Sequence, residues 1–323
     1  MSTVPQNETD TGVELLEPRA VPLGGPRAMT VRRTLPQRAR SLVGAWCFLD
    51  SYGPDDVAET GGMRVARHPH TGLATVSWLF SGQIDHIDSA GHWAAVRPGD
   101  AVFMNAGRGI THSEHSSADT TILHGVQLWY AFPDERRFEE PSLDVHRPEL
   151  VHGDGWHARV FAGRLLGVTA PLPTRAPISG AELRLQPHTV LHIDVPNDHE
   201  HALLQVAGPV SMNGTPVPTD HLAVVDTGST TLTIGAGDEP VLAVLIGGAP
   251  FGEPIVMWWN FIGRSHEEIA EFRAAYQAEM GFESATGDTD PRLGEPRYGE
   301  FPPGQPDPLP APALPNTRLK PRR

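Results

Sequence analysis

Two pairs of side chains, each set two residues apart, constrain this chain more than any other feature. One end of the stretch from Arg67 to Glu114 reads His68-Pro69-His70-Thr71-Gly72, and the other reads Gly107-Arg108-Gly109-Ile110-Thr111-His112-Ser113-Glu114. In a β-strand residues i and i+2 face the same side. His68 and His70 therefore share one face of their strand, and His112 and Glu114 share one face of theirs. If the two strands lie close inside one barrel, four donors converge on a point. Three neutral imidazoles and one carboxylate, with no thiolate, form a mixed N/O set that suits Fe(II), Mn, Ni, Cu or Zn. A chain with 16 histidines meets one His-x-His pair by chance. The combination with an Arg97-Pro98-Gly99-Asp100 turn and a Gly-x-Gly-x-x-His-x-Glu run gives this pair its weight.

The segments around these pairs read as short strands. Leu73 to Asp88 is rich in β-branched and aromatic residues and breaks at Ser81-Gly82, as a strand, a tight turn and a second strand would. Ala101 to Met104 is a short apolar strand, and Ile122 to Phe132 is another. Turn signals about every ten residues predict an all-β sandwich or barrel. His86, His92, His115 and His124 lie near the motif and read as ordinary strand or surface residues. Trp78, Phe103 and Met104 are candidates to line a pocket, with packing inside the barrel an equally good reading.

These residues resemble the pirin family of the cupin superfamily. The matching segments are His68-Pro69-His70-Thr71-Gly72, Gly82-Gln83-Ile84-Asp85-His86-Ile87-Asp88, Arg97-Pro98-Gly99-Asp100 and the run to Glu114, with further agreement at Val31 to Pro36 and Gly125 to Trp129. The resemblance spans about residues 20 to 285. It implies an all-β bicupin: two tandem antiparallel jelly-roll β-barrels with a C-terminal helix. It also implies one divalent metal ion, most often Fe(II), held in the N-terminal barrel by His68, His70, His112 and Glu114. One departure stands out. Many cupins carry a Glu four residues after the second His of the first motif, where this chain has Ala74, so the carboxylate falls to Glu114.

The expected division is a disordered extension over 1–20, a metal-binding domain over 21–160, a second cupin-like domain over 161–283 and a disordered proline-rich tail over 284–323. The second half repeats the short-strand pattern, which suggests an internal duplication. His199-Glu200-His201 has ligand-like spacing there but no His-x-Glu mate, so surface polarity is the expected account. Ser265-His266-Glu267-Glu268 reads as a capping box opening a helix to about Met280, with Ile269, Phe272, Tyr276 and Met280 on one face. A net charge of -14 argues against nucleic-acid binding, and no run has the roughly 18 apolar residues of a membrane span. One cysteine, Cys47, excludes an internal disulfide and suits a reducing cytoplasm. A monomer is expected.

The resemblance implies quercetin 2,3-dioxygenase activity, with a small aromatic flavonol and dioxygen as substrates and Glu114 taking the hydroxyl proton. The alternative it implies is a metal- or redox-dependent regulator that acts through a protein partner. The same four residues would serve either role.

Overall fold

The computed structural model describes residues 12–23, 29–284 and 296–322. Two seven-stranded sheets and two four-stranded sheets, antiparallel throughout, form two β-sandwich domains of the same design. In the first domain the large sheet runs Ser142–His146, Ala101–Asn105, Leu73–Ser81, Ile122–Ala131, Trp46–Asp56, Thr30–Leu35, Arg19–Pro22. Its small sheet runs Arg64–His70, Ile110–Ser116, Ile84–Asp88, Trp93–Val96. The second domain repeats both orders strand for strand. Its large sheet is Val13–Leu16, Leu222–Val225, Glu200–Ala207, Val241–Gly248, Ile178–Leu185, Trp156–Ala162, Leu150–Gly153. Its small sheet is Val190–Asp194, Thr231–Ala236, Val210–Met212, Thr215–Val217.

Burial explains the two kinds of strand sequence. The two large sheets share one apolar cluster that joins Trp46, Trp78, Phe103 and Tyr130 of the first domain to Phe161, Leu204, Val244 and Ile246 of the second. A central strand of a large sheet is therefore covered on both faces and reads as an unbroken apolar run, as Val241–Gly248 does. The outer strand Val190–Asp194 is covered on one face and alternates, with Leu191 and Ile193 inside. The Trp78 indole donates to Glu182 Oε2 across the domain boundary at 2.7 Å.

Both terminal segments differ from the expectation of disorder wherever they are described. Val13–Leu16 pairs with Leu222–Val225 and completes the large sheet of the second domain. Arg19–Pro22 pairs with Thr30–Leu35 in the first. Leu16 is buried in the shared core, so a short apolar run inside a polar segment is enough to anchor it. The proline-rich tail packs as well. Tyr298, Arg297 and Ala311 are buried, and Arg322 bridges to Ile255. Few backbone N–H groups are left in such a sequence, and those of Leu309 and Ala311 both find acceptors, Arg67 O and Gln277 Oε1. Residues 1–11 and 285–295 of the two expected disordered segments lie outside the described residues.

The helix spans His266–Glu279 with Ser265 as N-cap, its hydroxyl accepting from Glu268 N. Ile269, Phe272 and Tyr276 are buried as expected, and Gln277 joins them. Before the helix, Pro254 to Ile262 folds as a hairpin, Val256–Trp258 against Phe261–Gly263. Its turn carries Trp259 and Asn260 to the edge of the first domain. No described helix is long and apolar enough to cross a membrane.

Candidate metal centre

The small sheet of the first domain positions the ligand-type side chains. Arg64–His70 and Ile110–Ser116 are neighbours, with His68 directly opposite His112 and His70 opposite Ile110. Between His112 and Glu114 the register slips, so that Glu114 faces Val65. The His68 strand holds one extra residue there, a β-bulge of the kind that re-aims side chains beside functional sites. All four residues are buried. The imidazoles of His68, His70 and His112 bring one nitrogen each within 4.8 Å of the others, and His112, Glu114 and His86 form a second such group. Glu114 is thus beside His112 and His86.

Burial holds the three imidazoles neutral. Loss of solvent lowers His68 to about 4, and burial followed by the neighbouring histidines carries His70 and His112 well below the usual value. Their lone pairs are then available. His68 Nδ1 donates to the Ala66 carbonyl at 2.8 Å, which leaves Nε2 bare. His112 Nε2 is buried with no hydrogen-bond partner. His70 Nδ1 has the Asn260 backbone beside it and no bond of full geometry. Buried nitrogens without partners are costly, and a divalent cation is the partner that would satisfy several at once. The donor set fits a metal ion. Burial raises the Glu114 carboxyl, with His86 and the Ser77 hydroxyl pulling the other way. That hydroxyl stands 3.2 Å from Glu114 Oε1 and 2.9 Å from Gln127 Oε1.

Strand spacing did not single out His86. It is buried on the strand beside Glu114, with its Nδ1 3.4 Å from His112 Nδ1 and its Nε2 3.3 Å from Asp88 Oδ2. Asp88 is fully buried and also receives His92 N and Ala90 N. Burial disfavours its charge, yet His86 and the His92 amide outweigh that and hold its pKa below the carboxylate norm. The signal was present as His86-Ile87-Asp88, a same-face pair two residues apart. His115 and His124 stay outside the cluster. His201, expected at the surface, is fully buried, and neither of its ring nitrogens has a partner.

The cluster opens on a cavity of about 480 Å³, within the usual range for small-molecule sites. Tyr52, Met63, Val65, Trp129, Trp259 and Leu309 line it with the donors. Trp78 and Phe103 instead sit in the shared core, and Met104 packs with Ala106 and Ile110. Trp129 is the aromatic wall nearest the donors, edge-on to His70 at 4.9 Å between centroids and stacked on Phe48 at 4.0 Å.

Comparison with known proteins agrees with this geometry. The family model described as Pirin matches residues 28–130, and that of the pirin C-terminal cupin domain matches 180–282. The chain is 37% identical over 281 residues to "Putative quercetin 2,3-dioxygenase PA1205" of Pseudomonas aeruginosa, covering 86% of this chain and 88% of the relative. It is 33% identical to a pirin-like protein of Caulobacter vibrioides, covering 77% and 88%. A crystal structure of quercetin 2,3-dioxygenase from Acinetobacter baumannii superposes with a TM-score of 0.85 at 31% identity, covering 95% of this chain and 97% of that one. With both halves matched, and with relatives this similar over most of its length, the chain belongs to the pirin family.

Proposed function

We propose that this protein is a mononuclear metal-dependent dioxygenase of the quercetin 2,3-dioxygenase type, acting on flavonol-like aromatic substrates. His68, His70, His112 and Glu114 hold one divalent ion, Fe(II) first among the candidates. The observation that carries the reading is the group of three buried, neutral imidazoles beside a buried carboxylate, opening on an aromatic-walled cavity. Relatives named for the same activity support it. When bound, the ion supplies an electron-accepting centre that favours the deprotonated form of an oxygen ligand.

The chain's own residues do the rest. Trp129 and Trp259 give the cavity an aromatic lining for a flat ring. Met63, Val65 and Leu309 exclude water from that space. Glu114 is the group placed to take the flavonol hydroxyl proton, and Ser77, between Glu114 and Gln127, steadies its carboxylate. The single thiol, Cys47, is buried and its pKa is driven far up by desolvation, so it takes no part. We place the protein in a reducing cytoplasm on that cysteine usage.

The test is dioxygen consumption by the iron(II)-loaded protein given quercetin, beside a Glu114→Gln variant shown to retain the metal. Turnover in the parent that collapses in the variant supports the reading and gives Glu114 a role beyond ligation. A fully loaded parent that consumes no dioxygen refutes it and points to a metal-dependent regulator working through a protein partner.

A further inference from the structure

A second cavity, of about 730 Å³, lies beside the first and shares Arg33, Phe48 and Trp259 with it. Arg19, Arg33, Arg38 and Arg322 line it, and among the described residues no acidic side chain does. That is unusual for a chain of net charge -14. Many arginines elsewhere are matched: Arg40 with Glu14 and Asp226, Arg137 with Asp134 and Glu268, Arg264 with Glu253, Arg273 with Glu283. Those that are not, such as Arg97 and Arg159, do not gather in one cavity of this kind. Here only Arg33 is neutralised, through a two-pronged bond to Asp50 at 2.7 and 2.8 Å. Arg19 spends one donor on the Pro36 carbonyl and has no carboxylate at ion-pair distance among the described residues, although its charge reaches the buried Asp50. Arg38 and Arg322 are exposed and have no carboxylate partner among the described residues.

The two cavities share a wall made of a continuous run of flat groups. The Arg33 guanidinium lies 4.3 Å over the Phe48 ring, Phe48 stacks on Trp129, and Trp129 meets His70 edge-on. A flat molecule laid along the edges of this stack has one end at the imidazoles and the other among three guanidinium groups that have no ion-pair partner among the described residues. Guanidinium groups recognise carboxylates and sulfonates through paired, charge-assisted hydrogen bonds, and an aromatic rim suits the adjoining ring.

We infer that the arginine-lined cavity is the anion-binding extension of the substrate site, and that the preferred substrate is an aromatic anion. Its ring lies along Phe48 and Trp129, and its carboxylate or sulfonate lies among Arg19, Arg38 and Arg322. This rests on the metal cavity being a substrate site, and it deepens that reading by naming the charge of the substrate.

The experiment is calorimetric titration of the full-length, nickel-loaded protein without dioxygen, using 2-naphthoate and its uncharged counterpart 2-naphthamide. Both are repeated on the triple variant R19Q/R38Q/R322Q, checked for parental metal content and melting temperature. The expected result is naphthoate bound about tenfold or more tightly than naphthamide by the parent, with the preference falling to about twofold or less in the variant. Equal binding of the two by the parent overturns the inference. A preference that survives the triple substitution also overturns it, since the carboxylate would then sit on the metal. Flavonol turnover is read separately by dioxygen consumption. If that fails while the naphthoate preference appears and depends on the arginines, only the flavonol reading is lost.

Discussion

Replacing Tyr298 by alanine should undock the proline-rich tail from the domain that carries the histidine cluster. The side chain is fully covered, packed 5.3 Å from Tyr276 and 6.2 Å from Phe261 between ring centroids. Its hydroxyl donates to Phe272 O at 3.0 Å and lies 3.3 Å from Thr71 Oγ1. Removing a buried aromatic side chain costs about 3–5 kcal/mol. Because the segment is terminal, the loss is expressed as local opening before the sheets unfold. At about 1.4 kcal/mol per tenfold, the open fraction rises from about a hundredfold to a few thousandfold. The readout is amide hydrogen exchange at Leu309, which donates to Arg67 O at 2.8 Å, and at Ala311, which donates to Gln277 Oε1 at 2.7 Å. Both should accelerate by that factor, up to the unprotected rate, while Leu203 in the second domain stays at the parental rate. Tyr298→Phe keeps the ring and loses about 1 kcal/mol of hydrogen bonding, so its effect is about fivefold. If Leu309 and Ala311 exchange at the parental rate in Tyr298→Ala, the tail is not held through this residue and the reasoning fails.

Three further outcomes follow from single residues. His201 is buried with its pKa lowered to about 4 by desolvation, against 6.5 ordinarily. The unfolded chain therefore takes up the proton first, and stability falls as pH drops from about 6.5 to about 4, by at most about 3 kcal/mol from this group. His201→Leu should flatten that part of a denaturant-midpoint versus pH curve, and an unchanged slope would disprove the assignment. His86→Ala should weaken metal binding about 10–100-fold in a competitive chelator titration without abolishing it, because His86 orients His112 rather than completing the donor set; parental affinity would count against this. Gly72→Ala should cost about 2 kcal/mol or more, since Gly72 has φ +76° and an added Cβ would sit 2.4 Å from the Ile262 carbonyl oxygen. A urea midpoint equal to the parent's would show that the backbone gives way more easily than its contacts imply.

The centre was legible because β-geometry and donor chemistry act locally. His68, His70 and His112 are each placed by a two-residue alternation and one strand pairing, and the structure brings all three together. His86 was missed because its role depends on a neighbouring strand. The Ile84–Asp88 strand lies on the far side of Ile110–Ser116 from the first His pair, and nothing local in the chain states that neighbourhood. The terminal segments misled for a related reason. Composition measures how much apolar surface a segment carries, whereas docking of Val13–Leu16 or of Tyr298 depends on what surface awaits it. An unpaired edge at Leu222–Val225 and the apolar face of the helix wait on the other side of the molecule. His201 shows the converse: a polar residue becomes buried because its strand is covered on both faces.

The duplication itself explains why, among the described residues, only the first half carries the cluster. Strand for strand, Arg64–His70 corresponds to Val190–Asp194, and Ile110–Ser116 to Thr231–Ala236. The inward positions of the first pair hold His68, His70, His112 and Glu114, whereas those of the second hold Leu191, Ile193, Leu232 and Ile234. Leu191 faces Ile234 and Ile193 faces Leu232, and all four join the apolar core of that domain. His199-Glu200-His201 straddles the start of a different strand, in the large sheet, where no inward pair of the first domain supplies a donor. Ligand-like spacing is therefore informative only on the small-sheet strands. The two halves keep one architecture with opposite small-sheet interiors: one sealed by aliphatic side chains, the other holding a cluster of imidazoles. Of these, His70 Nδ1 and His112 Nε2 are buried without a partner, whereas among the described residues the second half has such nitrogens only on His201 of its large sheet. Such nitrogens cost stability unless something binds them, and only where several converge, as at His68, His70 and His112, could one ion satisfy them together.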